Sequence, residues 1–142
     1  MKKLFVLGIG VAMLVGGCVA QQTRGTPERP QIVVADGKVQ RINPEPLEFA
    51  ARKGAVVIHW TAPSGHLFAG RGIVIDGEVE RIGGAIIDKN PSEVGKCVVT
   101  GNRQQVQCTN QRSRKGIYKY TVLLEQGGKA LPAFDPYIVN KE

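Results

Sequence analysis

The chain has 142 residues, with 19 Lys and Arg against 12 Asp and Glu and a formal net charge of +7. That length supports one small hydrophobic core beside a terminal extension and excludes two separately packed domains. With three cysteines, two histidines and no phosphate-binding glycine loop after residue 17, thiol, metal and nucleotide chemistry rest on very few residues or on none.

Met1-Lys2-Lys3 is a short positive stretch, and Leu4 to Gly17 (LFVLGIGVAMLVGG) is apolar but short for a bilayer span. The run ends Val15-Gly16-Gly17-Cys18. An aliphatic residue, two small ones and a cysteine in this order resemble the lipobox of bacterial lipoproteins. The resemblance implies that residues 1–17 are a signal peptide cut before Cys18. It also implies that Cys18 carries diacylglycerol in thioether linkage and that its new amino group is acylated. Several acyl chains on one residue exceed what stable membrane attachment needs. Val19 stands where enterobacterial lipoproteins kept in the inner membrane have aspartate, which by the same resemblance implies the outer membrane of a Gram-negative cell, facing the periplasm. An ordinary secretory signal or an uncleaved anchor would leave Cys18 incidental.

Residues 18–31 form the lipidated end and a tether, since Gln21 to Gln31 (QQTRGTPERPQ) is polar, holds two prolines and has no periodicity. Residues 32–142 make a single domain. Ile32-Val33-Val34, Asp36-Gly37 and Val39 to Ile42 read as a hairpin, and Ile73-Val74-Ile75, Asp76-Gly77 and Val79 to Ile82 as a second one. The two pieces look alike, but Asp-Gly between β-branched runs is common turn chemistry and needs no duplication. Asn43-Pro44-Glu45-Pro46 breaks the chain before Leu47-Glu48-Phe49. Ala55 to Thr61 (AVVIHWT) alternates, with Val56, Ile58 and Trp60 on one face and His59 on the other. Gly83 to Pro91 is ambiguous, with a turn of helix around Ser92-Glu93-Val94.

Cys97 facing Cys108 in a hairpin sets Val99 opposite Val106 and leaves Gly101 to Gln104 as the turn. A disulfide across that pair suits an oxidising compartment, and a bridge between two sheets is the alternative. Arg112-Ser113-Arg114-Lys115-Gly116 is a loop tip. Tyr118, Tyr120, Val122 and Leu124 then alternate with polar or smaller neighbours as a half-buried strand. Gly127-Gly128 turns it, and the return is an edge strand broken at Asp135-Pro136, with Tyr137 and Val139 on the core side. Many short strands and glycine-rich turns indicate an all-β fold, a small antiparallel β-sandwich. The order of tryptophan strand, cysteine hairpin and Gly-x-Tyr-x-Tyr-x-Val loosely resembles immunoglobulin-like and cupredoxin-like sandwiches of bacterial envelope proteins. A cupredoxin copper site uses two histidines, a thiolate and usually a methionine. Here both methionines precede Cys18 and no histidine follows Cys108, so the copper set is lacking.

No catalytic constellation emerges, and the chain is read as a non-enzymatic envelope module, held to the membrane by its lipid, with no cofactor and no nucleic-acid partner. Ser64 has no glycine-flanked nucleophile turn. Periplasmic copper or zinc handling through His59 and His66 is the alternative function, while a Cys2His2 zinc site with Cys97 and Cys108 suffers from the wide cysteine spacing. Asp76, Glu78 and Glu80 alternate as a solvated acidic edge. Between Glu93 and Glu125 there is no acid, whereas Lys96, Arg103, Arg112, Arg114, Lys115 and Lys119 all fall there. Arg112, Arg114 and Lys115, with Asn110 and Gln111 beside them, form a candidate site for an anionic envelope component. A solvated tip is the plainer reading of the same charges.

Overall fold

A computed structural model describes residues 24–79, 87–88 and 93–142. Cys18, residues 80–86 and residues 89–92 lie outside them. So do the lipobox, Glu80, the second half of the expected 73–82 hairpin, and most of the ambiguous 83–91 stretch. The described residues form strands and no helix. In chain order they are β1 Gln31–Ala35, β2 Lys38–Asn43, β3 Leu47–Ala50, β4 Val56–Thr61, β5 Leu67–Val79 and β6 Ile87–Asp88. There follow β7 Val94–Thr100, β8 Gln105–Asn110, β9 Gly116–Gln126, β10 Lys129–Ala130 and β11 Tyr137–Lys141.

Two sheets pack as a small β-sandwich. One runs β2-β1-β4-β8-β7, the other β3-β11-β9-β5-β6, with β10 paired to β9. Most neighbours are antiparallel, but β1 meets β4 and β11 meets β3 in parallel, so both sheets are mixed. The alternation that marks each strand also fills the core. Ile58 and Trp60 from β4 face Tyr118, Tyr120, Val122 and Leu124 from β9, and all six are at most 1 % exposed. Trp60 and Tyr120 meet across the layers with ring centroids 5.5 Å apart and planes tilted by 57°, a favoured aromatic geometry. Burial holds the Tyr120 hydroxyl protonated far above the ordinary tyrosine range.

The first hairpin forms as read, with Asp36 and Gly37 at φ 52° and 70°, the conformation a two-residue turn between strands requires. Its look-alike does not. Asp76 and Gly77 lie inside β5, where the register against β9 shifts between Ile75 and Gly77. Glycine there serves a bulge rather than a turn. Val94 opens β7 rather than ending a turn of helix.

The cysteine hairpin follows the expected register, Val99 opposite Val106, with Gln104 N donating to Gly101 O at 3.0 Å across the turn. Cys97 and Cys108 are disulfide-bonded with Cα atoms 4.1 Å apart, at a bulge between Gly95 and Val98. The bridge therefore ties neighbours within one sheet and does not cross the sandwich.

The last strand departs from expectation twice. β11 is not an edge, because β3 covers its far side over Leu47 to Ala50. Pro132 and Pro136 both precede Tyr137 and leave its ladder intact. Its inward residues are Ile138 and Asn140, not Tyr137 and Val139, and Tyr137 is 41 % exposed. Asn140 is buried because its carboxamide pairs with that of Asn110 on the opposite sheet, Nδ2 to Oδ1 at 3.0 Å one way and 2.7 Å the other. This reciprocal pair satisfies both amides inside the core.

Residues 24–31, read from the sequence as part of the tether, are described, and residues 18–23 lie outside the described residues. From Arg24 onward the chain is laid on the sandwich. Thr26-Pro27-Glu28-Arg29 is a turn closed both ways, Thr26 N to Arg29 O at 3.1 Å and Arg29 N to Thr26 O at 3.0 Å, with proline where turns favour it. Glu28 O accepts the His59 amide at 2.8 Å, and Pro30 is buried. The segment runs so close to β1 and β2 that a Cβ on Gly25 would lie 2.0 Å from Asn43 O and 2.6 Å from Gln31 N. Polarity hid this packing, which joins backbone contacts to the buried Pro30.

Candidate functional sites

The basic loop leaves β8 at Asn110 and enters β9 at Gly116. Its charges are largely committed to neighbours. The Arg112 guanidinium donates from Nε to Gly54 O at 2.6 Å and from Nη2 to Lys53 O at 3.0 Å. It fastens the turn between β3 and β4. Glu93, 4 % exposed, accepts Ser113 N at 2.7 Å and the Ser113 hydroxyl. Its Oε1 lies 3.9 Å from Arg114 Nε. Lys115 makes no ion pair among the described residues. The Asn110 amide, read as a neutral donor for an anion, instead points into the core toward Asn140 and accepts Arg112 N at 3.1 Å. The loop thus brings Arg112, Arg114 and Lys115 together, but the first two hold it in shape.

At the other end of β4 lies a cleft of about 600 Å³. The 26–29 turn, the start of β1 and the outer face of β4 border it, and it opens to solvent. Arg24, Thr26, Arg29, Gln31, His59, Thr61 and Ser64 supply its polar lining, Pro30, Ile32 and Pro63 its apolar part, and no carboxylate side chain lines it. His59 is half-buried on the outward face of β4, as its alternation implies. Arg24 and Arg29 are exposed and make no ion pair among the described residues. Sequence reasoning missed both because they fell in the tether. The available signal was Thr-Pro-Glu-Arg, a turn composition in its own right.

His66 does not join His59 in this lining. Its Nδ1 lies 3.0 Å from Ser64 O. A carbonyl only accepts, so Nδ1 carries the proton. The Ser64–His66 contact therefore runs through the serine carbonyl and not its hydroxyl. Cys97 and Cys108 are held in their disulfide and present no thiolate. Among the described residues no three His, Cys, Asp or Glu side chains are grouped to hold a metal ion.

On the outer face of the second sheet, Asp76 is part of a bridge between strands. The Thr121 hydroxyl lies 2.6 Å from Asp76 Oδ2 and 2.9 Å from Asp135 Oδ1. Lys119 Nζ lies 3.0 Å from Asp135 Oδ2. Burial pushes the Asp135 carboxyl up, but the Lys119 ammonium and the Thr121 hydroxyl outweigh it and hold the group below its ordinary value.

The fold defines the class: a small, disulfide-bonded, mixed β-sandwich. Comparison with protein-family models, with curated proteins and with solved structures gave no match.

Proposed function

We propose that this chain is a lipid-anchored envelope protein, attached through Cys18 to the outer membrane and facing the periplasm. Its sandwich acts as a non-catalytic binding or structural module. The observation that carries the reading is the pairing of Cys97 with Cys108, which leaves Cys18 as the remaining cysteine of the sequence, at the position the lipobox pattern reserves for lipid. A disulfide belongs in an oxidising compartment such as the periplasm, so anchor and bridge point the same way. The immunoglobulin-like or cupredoxin-like resemblance agrees with a sandwich but selects no ligand, since such scaffolds host many functions.

Metabolic labelling with a fatty-acid analogue tests the anchor. Wild type should take up label and sediment with membranes, and Cys18→Ser should do neither. Equal labelling of the two proteins would sink the proposal. Copper and zinc titration addresses the alternative: one tightly held ion lost in His59→Ala would turn the reading to metal handling.

A further inference from the structure

We propose that the cleft between the 26–29 turn and the outer face of β4 is a binding site for the phosphate of an anionic phospholipid headgroup in the membrane that anchors the chain. The proposal rests on the lipid-anchor reading and adds a site to it.

The lining sets the sign of the ligand. Two arginines and a histidine face a cavity of about 600 Å³ to which no carboxylate contributes. Arginine forks match phosphate oxygens two at a time. Thr61 and Ser64, which also line the cleft, carry hydroxyls of the kind that donate to headgroup oxygens. The backbone that carries Arg29 is held in place. Arg29 closes the 26–29 turn through two backbone bonds, and its own N–H also lies 3.2 Å from Thr26 Oγ1. That turn is in turn fixed to β4 by the bond from His59 N to Glu28 O. The backbone of this wall is thus tied to a sheet before any ligand arrives.

Position sets the source. Arg24 follows Cys18 by six residues, and a chain of that length spans at most about 20 Å however it runs. The end of the sandwich that carries Arg24 and Arg29 must therefore stay near the bilayer surface. An anionic leaflet attracts cations held close to its surface. The Arg112 loop has neither advantage. It lies beyond the Val56 end of β4, whereas the cleft borders the Thr61 end. Six strand residues separate the two by roughly 17 Å, and Arg112 is already bonded to Lys53 and Gly54.

The test uses the full chain, extracted from membranes in neutral detergent. Calorimetric titration with three soluble probes compares dihexanoyl-phosphatidylglycerol, dihexanoyl-phosphatidylcholine and inorganic phosphate. Phosphatidylglycerol should bind best. The double change Arg24→Gln, Arg29→Gln should weaken it by about tenfold or more, the loss of two charge-assisted contacts. Lys115→Gln should leave it within about twofold, as for a charge remote from the site. Both arginines are exposed, so the double variant should keep its melting temperature, which is measured alongside. Phosphatidylglycerol binding unchanged in the double variant, or no binding of either phosphate-bearing anion, overturns the site. Inorganic phosphate binding as tightly as the lipid overturns the headgroup and makes free phosphate the ligand. Fatty-acid labelling of the same protein separates the two failures. An unlabelled Cys18 sinks the anchor and with it the headgroup as source, whereas a labelled protein indifferent to phosphate sinks the cleft alone.

Discussion

Arg112 and Lys115 stand three positions apart in one basic loop and do different work. The first donates to two main-chain carbonyls of another turn, and hydrogen bonds from a charged group are stronger than neutral ones. Arg112→Ser should therefore lower stability by about 1–2 kcal/mol in urea unfolding, and Lys115→Ser should stay within about 0.5 kcal/mol of wild type. Asp135 gives the residue scale its pH dependence. A carboxyl depressed by folding stabilises the protein above its unfolded value of about 3.9 and loses that contribution as the pH falls through its folded value. Lys119, raised chiefly by its hydrogen bond to Asp135, contributes below about pH 10.4 and loses its share as the pH rises through its folded value. Asp135→Asn should thus have a lower urea midpoint than wild type at neutral pH. The two midpoints should converge only as the pH falls below the unfolded value of about 3.9 and through the lower folded value of Asp135.

At the scale of elements, the segment before β1 is held by backbone geometry. Gly25 sits where any Cβ would strike the Asn43 carbonyl and the Gln31 amide. Gly25→Ala should lift the segment from β1 and β2 and break the bond from His59 N to Glu28 O. Hydrogen exchange at the His59 amide should then rise by about tenfold or more, while core amides of β9 keep their protection, as expected of a local opening. Unchanged protection at His59 would show that the segment accommodates the methyl. The element scale also explains the two Asp-Gly sites. Asp36-Gly37 ends a short pair and can turn. Asp76-Gly77 lies on β5, which pairs with β9 on both sides of the site from Leu67 to Val79, so it can only bulge.

For the whole molecule, the Asn110–Asn140 pair is a polar tie between the sheets. Each amide satisfies the other, so removing one strands its partner in the core. Asn140→Ala should cost about 1–3 kcal/mol, the penalty of an unsatisfied buried polar group. Replacing both with leucine should recover part of that loss, because neither carboxamide is then stranded, although the Arg112 amide loses its Asn110 acceptor. Chemical denaturation of Asn140→Ala and of the double leucine variant measures this directly. The sandwich also has two distinct ends. One carries the Arg112 loop and its ties to Glu93 and the β3–β4 turn. The other carries Arg24, Arg29 and the cleft, within reach of the chain that leads to Cys18.

The all-β class, the inward faces of β4 and β9, the first hairpin and the Cys97–Cys108 register were all legible from the amino acids, because each follows from local alternation or from turn chemistry between neighbours. The lipobox pattern at Val15 to Cys18 was equally readable, as a pattern. What the sandwich alone decided depends on residues far apart in the chain. β3 joins β11 to make the last strand interior. Asn140 turns inward because Asn110 waits on the other sheet, which reverses the phase that Tyr137 and Val139 suggested. The candidate cleft belongs to the same category. Arg24 and Arg29 sit in a polar stretch with no periodicity, and only the docking of that backbone against β1 and β4 brings them to His59, Thr61 and Ser64. Local signals report which way a strand faces, but a site formed from three separate stretches exists only once the core has fixed their distances.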